Sequence, residues 1–229
     1  MKDEVRSEKG KILICFAVKE EAAPFKKLLG GSTETKILIT GIGEKNARRA
    51  FCDALETFTP ALVVTCGFAG ALNPDLKIGD VIFLTIDPGL DKTLVNLGAS
   101  PASFLCAPRV AITAAEKEKL RRETGASAVE MESGVINEIC RERRILRHAT
   151  VRVISDAANE DLPLDFNALM TADQKISLLK LTGALLKSPG KVPQLLKLQR
   201  ETKMAAERLA EVLNGLLRAF RSGGTGVIE

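Results

Sequence analysis

The chain of 229 residues contains no tryptophan, no tyrosine and a single histidine, His148. With Trp and Tyr absent, stacking on nucleobases would fall to nine phenylalanines, and no nucleic-acid partner is expected. An excess of one charge is missing too: 33 Lys and Arg against 29 Asp and Glu leave a net +4, too mild for a polyanion partner. The five cysteines, Cys15, Cys52, Cys66, Cys106 and Cys140, are odd in number, widely spaced and without a CxxC pair. That pattern argues against a disulfide framework and a zinc site, and no metal is expected. Cys15, Cys66 and Cys106 lie in apolar runs, where cysteine acts as a small buried hydrophobe. No apolar run approaches the roughly 18 residues that span a bilayer, so no stable membrane insertion is expected. The opening MKDEVRSEKG is charged and lacks the apolar stretch of a signal peptide, which predicts a solvated leader and a cytoplasmic protein.

What is present is an ordinary globular balance, 45% hydrophobic and 27% charged residues, in a length that suits one α/β domain. The domain is expected over residues 11–220, with 1–10 and 221–229 as flexible termini. Residues 11–18 (KILICFAV) form the short apolar run that a strand buried on both faces requires. Helical spacing follows over 20–29. Further strands are expected at 36–40, 61–65, 77–84, 104–107, 126–129 and 150–155, and helices at 45–58, 114–123, 132–145, 173–186 and 192–220. Residues 66–72 (CGFAGAL) read as a turn of small residues, and 87–103 shows no period and reads as loop. Strands alternating with helices predict a twisted, mainly parallel central sheet flanked by helices, with a C-terminal helical extension.

Carboxylates stand at the ends of these apolar runs. Glu21 follows the first, Glu130 and Glu132 follow the run at 126–129, and Asp156 follows the last. In an open α/β sheet, ligands collect outside the carboxyl ends of the strands. Several carboxylates around one cleft suit a ligand rich in hydroxyls and ring nitrogens, because a carboxylate accepts from a sugar hydroxyl and a protonated one donates to a ring nitrogen. A nucleoside offers both.

Five motifs in order, AVKEEA, TGIG, TCGFAGALNPDLKIGDVIF, AVEMES and RVISDAA, resemble the purine nucleoside phosphorylase and nucleosidase superfamily, in particular its methylthioadenosine/S-adenosylhomocysteine nucleosidase branch. The match covers about residues 11–160. Toward the C-terminus, LPLDF and KSPGKVPQLLKL resemble the hopanoid-associated members, the adenosylhopane nucleosidase or phosphorylase group. The resemblance implies a nucleoside phosphorylase-like fold, cleavage of an N-glycosidic bond of a purine nucleoside, no metal or organic cofactor, and a homo-oligomer. Asp156 matches the residue that protonates or hydrogen-bonds the purine N7. Glu132 matches the carboxylate that grips the ribose hydroxyls, and Met131 the residue packed beneath the sugar. Glu21 matches the base that activates the attacking water. Glu130, Ser155, Phe68, Ala69 and Gly70 fall in the matching substrate-binding stretches.

Each assignment has a structural rival. Asp156 could be a helix N-cap, Glu20 and Glu21 first-turn acids, and Glu130 a partner of Arg152. His148, beside Arg143, Arg144 and Arg147, is expected on the surface. Gly41 and Gly43 open a helix and would offer N–H groups to a phosphate co-substrate or to water. Phosphorylases of the superfamily add arginines and a serine at that anion. Here Phe68 stands at the serine position and the preceding strand has no arginine, which favours water. The segment between Asp80 and Phe104 is short for the branch, so the mouth for the 5′ substituent is expected to be open and apolar, lined by Phe16, Phe68 and Phe104. A phosphorylase and a non-catalytic nucleoside-binding module are the alternative readings.

Overall fold

The computed structural model describes residues 10–30, 33–171 and 189–222. Its centre is β1 (Ile12–Phe16), buried at every position. β2 (Thr35–Ile39) and β3 (Leu62–Ala71) flank it, both parallel. β8 (His148–Asp156) runs parallel to β3, and its far edge takes β4 (Val81–Thr85) antiparallel, with β5 (Ser100–Pro101) beyond. The main order is β2-β1-β3-β8-β4-β5, and β7 (Ala128–Glu130) pairs with the end of β3 and carries β6 (Phe104–Cys106). The sheet is therefore mainly parallel, as the alternating pattern predicts.

Two-residue alternation divides the core. Ile12, Ile14 and Phe16 face one side, where they join Phe25 of α1 (Lys19–Leu29) and Leu209, Leu213 and Leu216 of α7 (Val192–Arg221). Leu13 and Cys15 face the other, with Phe51 of α2 (Glu44–Thr57) and Ile136 and Ile139 of α5 (Ser133–Glu142). A strand covered on both faces must be apolar throughout, which is why KILICFAV carries no alternation. Burial also raises the thiols, Cys140 to about 12, so these cysteines are apolar filler and not nucleophiles. Among the described residues, no helix is long and apolar enough to cross a membrane.

Three differences from the sequence reading matter for the site. The small residues 66–71 do not turn: β3 continues through them, paired to β8 on one side and to β7 on the other. Glycines within a strand mark places where other groups approach the backbone closely. Second, residues 87–103 are not loop. Asp87 caps α3 (Pro88–Asn96), accepting from the N–H groups of Gly89 at 2.8 Å and Leu90 at 3.0 Å, and Pro88 occupies the first turn. Leu90 and Leu94 then pack into the core shared with α7. Third, His148 is buried, because β8 begins there by pairing with Val63, and its Nδ1 lies 2.9 Å from the Ile145 carbonyl. A short α6 (Phe166–Leu169), capped by Asp165, was not foreseen. The helix expected at 173–186 lies outside the described residues.

α7 is the largest single cover of the sheet, and Leu213 sits fully buried within it. Leu213→Ala should destabilise the protein by about 2–5 kcal/mol, read as a lower urea midpoint at unchanged m.

Candidate active site

The site is built where β3 and β8 run side by side. In the ladder Gly67 is opposite Arg152, and Gly70 is opposite Asp156, with the register shifting between Ala69 and Gly70. That shift skips Ser155, a bulge that re-aims the strand end. Arg152 and Asp156 are thus four residues apart on one strand, roughly 13 Å in extended chain.

Arg152 is the hub of the first half. Its guanidinium is 1% exposed and contacts Glu130 Oε2 in a short ion pair, Glu132 Oε2 at 3.5 Å and Thr65 Oγ1 at 3.4 Å. Glu130 is further held by the N–H groups of Glu132 at 3.0 Å and Ser133 at 2.8 Å and by the Ser133 hydroxyl at 2.7 Å. Burial pushes the Glu130 carboxyl up, but Arg152 and these donors outweigh it and hold the group below its usual range. Glu130 is the structural counter-ion of Arg152.

Glu132 and Glu21 are different. Glu132 accepts from the Gly43 N–H at 2.8 Å, and burial, reinforced by Glu130 and Glu21 and opposed by Arg152 and Gly43, pushes it up to about 7. Glu21 accepts from the N–H groups of Phe68 at 2.9 Å, Ala17 at 3.1 Å and Val18 at 3.2 Å. Burial raises Glu21 as well, against the pull of those donors and of Arg152. Gly67 makes the cluster possible. Its φ is +146°, and a Cβ there would stand 2.7 Å from Glu21 Oε1 and 2.8 Å from Arg152 Nη1. Met131, between the two glutamates in sequence, is buried.

The second half centres on Asp156. Ser155 Oγ donates to its Oδ1 at 2.8 Å and lies 3.4 Å from the Ala69 carbonyl, while a Cβ at Gly70 would stand 3.0 Å from Oδ2. The remaining partner is Lys117 of α4 (Ala114–Thr124), fully buried, with Nζ 2.6 Å from Oδ2. Lys117 has no signature that separates it from Lys119 beyond sharing a helix face with half-buried Leu120, three residues on. A polar cleft of about 460 Å³ opens beside Asp156, between the loop at 160–163 and the first turns of α7.

Other expectations are redrawn by the geometry. The Gly41 N–H donates to the Ala17 carbonyl at 3.0 Å and the Gly43 N–H to Glu132, so both are already committed to the protein instead of facing an anion. Phe16 is core, and Phe68 and Phe104 are partly buried against apolar clusters; none lines the cleft. The segment between Asp80 and Phe104 packs under α7 through α3 and contributes no lining residue to this cleft.

A family model described as the Phosphorylase superfamily matches residues 18–86 and 100–187. The chain belongs to this superfamily. Residues 87–99, which hold α3, fall between the two matched blocks. Relatives include a 5′-methylthioadenosine/S-adenosylhomocysteine nucleosidase of Glaesserella parasuis serovar 5 (strain SH0165), 25% identical over 61% of this chain and 75% of the relative. Another, of the same name, from Anoxybacillus flavithermus (strain DSM 21510 / WK1), is 24% identical over 69% of this chain and 90% of its own. The fold is similar to futalosine hydrolase of Helicobacter pylori strain 26695, with TM-score 0.67 at 17% identity over 91% of this chain and 97% of that one.

Glu132 gives this carboxyl cluster a pH signature. In the folded protein it keeps its proton up to about 7, against 4.5 for an ordinary glutamate. Between those values the fold binds a proton that the unfolded chain has released. This contribution to stability is therefore full at acid pH and is lost as pH rises to about 7. Thermal melts between about pH 5 and 8 should fall more steeply with pH in the wild type than in Glu132→Gln, whereas parallel curves would place the proton elsewhere.

Proposed function

We propose that the protein hydrolyses the N-glycosidic bond of a purine nucleoside, with adenine as the leaving base, a 5′-substituted ribose and no metal or organic cofactor. The observation that carries this reading is the gathering of Glu21 and Glu132 around one buried cation, Arg152, on the strand whose end bears Asp156. One guanidinium faces three carboxyl groups, and it is Glu130 that it pairs with most closely, so the carboxyls of Glu132 and Glu21 remain for a ligand, Glu132 turning negative as pH rises past about 7. Glu132 is the ribose-binding carboxylate, accepting from sugar hydroxyls and stabilising positive charge as it grows on the ring. Glu21 uses three backbone donors and keeps a further lone pair for the proton of the attacking water. Asp156 donates the proton that the departing purine takes up. The names of the curated relatives, nucleosidases, support the same reaction class.

Water is favoured over phosphate because the donors of Gly41 and Gly43 are committed. Among the described residues, the two buried cations, Arg152 and Lys117, are both paired with carboxylates. The apolar substituent of adenosylhopane is the finer part of the proposal. It is supported by the coincidence that Leu162, Pro163, Lys191, Gln194, Lys197 and Leu198, from the two segments resembling the hopanoid-associated group, wall the cleft beside Asp156. Exposed Leu84 and Ile86, at 47% and 75%, favour a homo-oligomer.

The test is adenine release from 5′-substituted adenosines, including one with a long apolar tail. Release should not require phosphate, and Asp156→Asn should lower kcat by at least about 100-fold. Strict phosphate dependence would make the protein a phosphorylase. Binding without release from any substrate would make it a nucleoside-binding module.

A further inference from the structure

α4 is a charged surface helix, AAEKEKLRRET, and its one buried residue is a lysine. Glu118, Lys119 and Arg122 on the same helix reach solvent, while the Lys117 side chain is 0% exposed. Taking an ammonium out of water costs several kcal/mol unless its hydrogens are satisfied and its charge is met. The hydrogens are all satisfied, and the charge is met whenever Asp156 is a carboxylate. Nζ donates to the carbonyls of Ala157 at 2.7 Å and Glu160 at 3.1 Å, and to Asp156 Oδ2 at 2.6 Å. Three acceptors use all three N–H groups, the arrangement of a charged lysine. A neutral fold element would have met no such cost, so the interest lies in what the cation faces.

Resting on the reading of Asp156 as proton donor, we infer that Lys117 is its positioning residue and assigns the transferable proton to Oδ1. Lys117 occupies Oδ2, so a proton on Asp156 has one oxygen left, the one that contacts Ser155. The serine accommodates both states. With Asp156 ionised, Ser155 Oγ donates to Oδ1; with Oδ1 protonated, the hydroxyl turns to the Ala69 carbonyl, 3.4 Å away. As the glycosidic bond breaks, its electron pair leaves with the purine. The Oδ1–H bond breaks, an N–H bond forms on the purine, and water adds to the sugar carbon as it loses its proton to Glu21. Asp156 is left as a carboxylate, and the ammonium at Oδ2 balances the new charge without moving. Two further N–H groups tie the same ammonium to the turn 157–160, which leads into the rim of the cleft, so the carboxyl and the rim are held by one side chain.

This role predicts a loss in the chemical step and not in binding. Lys117→Met should lower kcat about 30- to 100-fold with KM within about threefold, and Lys117→Gln, which keeps amide donors for the carbonyls but loses the charge, should lose kcat likewise. In an Asp156→Asn background, followed with radiolabelled adenosine substrate so that residual rates stay measurable, adding Lys117→Met should cost less than about threefold more. Full additivity would overturn the assignment of Lys117 while leaving Asp156 as the acid. Wild-type kcat in Asp156→Asn would overturn the reading of Asp156 itself. Failure of both Lys117 variants to fold would overturn the inference in favour of a purely structural ammonium.

Discussion

A single guanidinium buried among carboxylates is the constraint around which this molecule is arranged. Arg152 on β8 is 1% exposed, and an unmet charge at that depth would cost several kcal/mol. Glu130 meets it, and the donors that hold Glu130 come from the first turn of α5. Glu132 extends the contact to the start of α2 through Gly43, and Glu21 extends it to the start of α1 and to β3 through Phe68. Three helix beginnings and three strands, β3, β7 and β8, converge on one cation. Burial, with Glu130 and Glu21 close by, is what raises Glu132 against the pull of Arg152, and the cluster is arranged by the fold alone.

Much of this was legible in the chain. Buried strands announce themselves as apolar runs, and apart from β3, which runs on to Ala71, the strands and helices expected beside the site fall within a few residues of their expected ends. Glu21, Glu130, Glu132 and Asp156 were readable because acids at the ends of apolar runs are unusual, and the motif order supplied their roles. The failures share one cause, which is that sequence pattern reports local preference and not what lies across the sheet. CGFAGAL has the composition of a turn, yet β7 and β8 pair with it from both sides and make it strand. His148 sits in a basic run, yet its pairing partner Val63 draws it under. Lys117 looks like its neighbours, and only the position of Asp156 gives it a reason to be buried. The cap of α3 is a different case: Asp87 followed by Pro88 is a local signal, and it was there to be read.

Likeness in fold to nucleosidases and to a futalosine hydrolase places the chain within a scaffold that hosts several substrates. The segment holding α3 falls outside the matched blocks, and the wall of the cleft is drawn from 160–163 and from the first turns of α7. The acids stay with the sheet, while the wall of the cleft beside Asp156 is borne by the loop at 160–163 and the first turns of α7.

α7 belongs to both regions at once. Its later turns, from Ala205 to Leu217, are locked in the core, while Gln194, Lys197 and Leu198 near its start stand at the cleft. The helix is therefore a lever with its fulcrum inside the protein. A tilt of about 5° about Ala205 carries Gln194, about 16 Å away along the axis, through about 1.4 Å. A substitution that changes side-chain volume around the fulcrum would thus change the width of a gap it never touches.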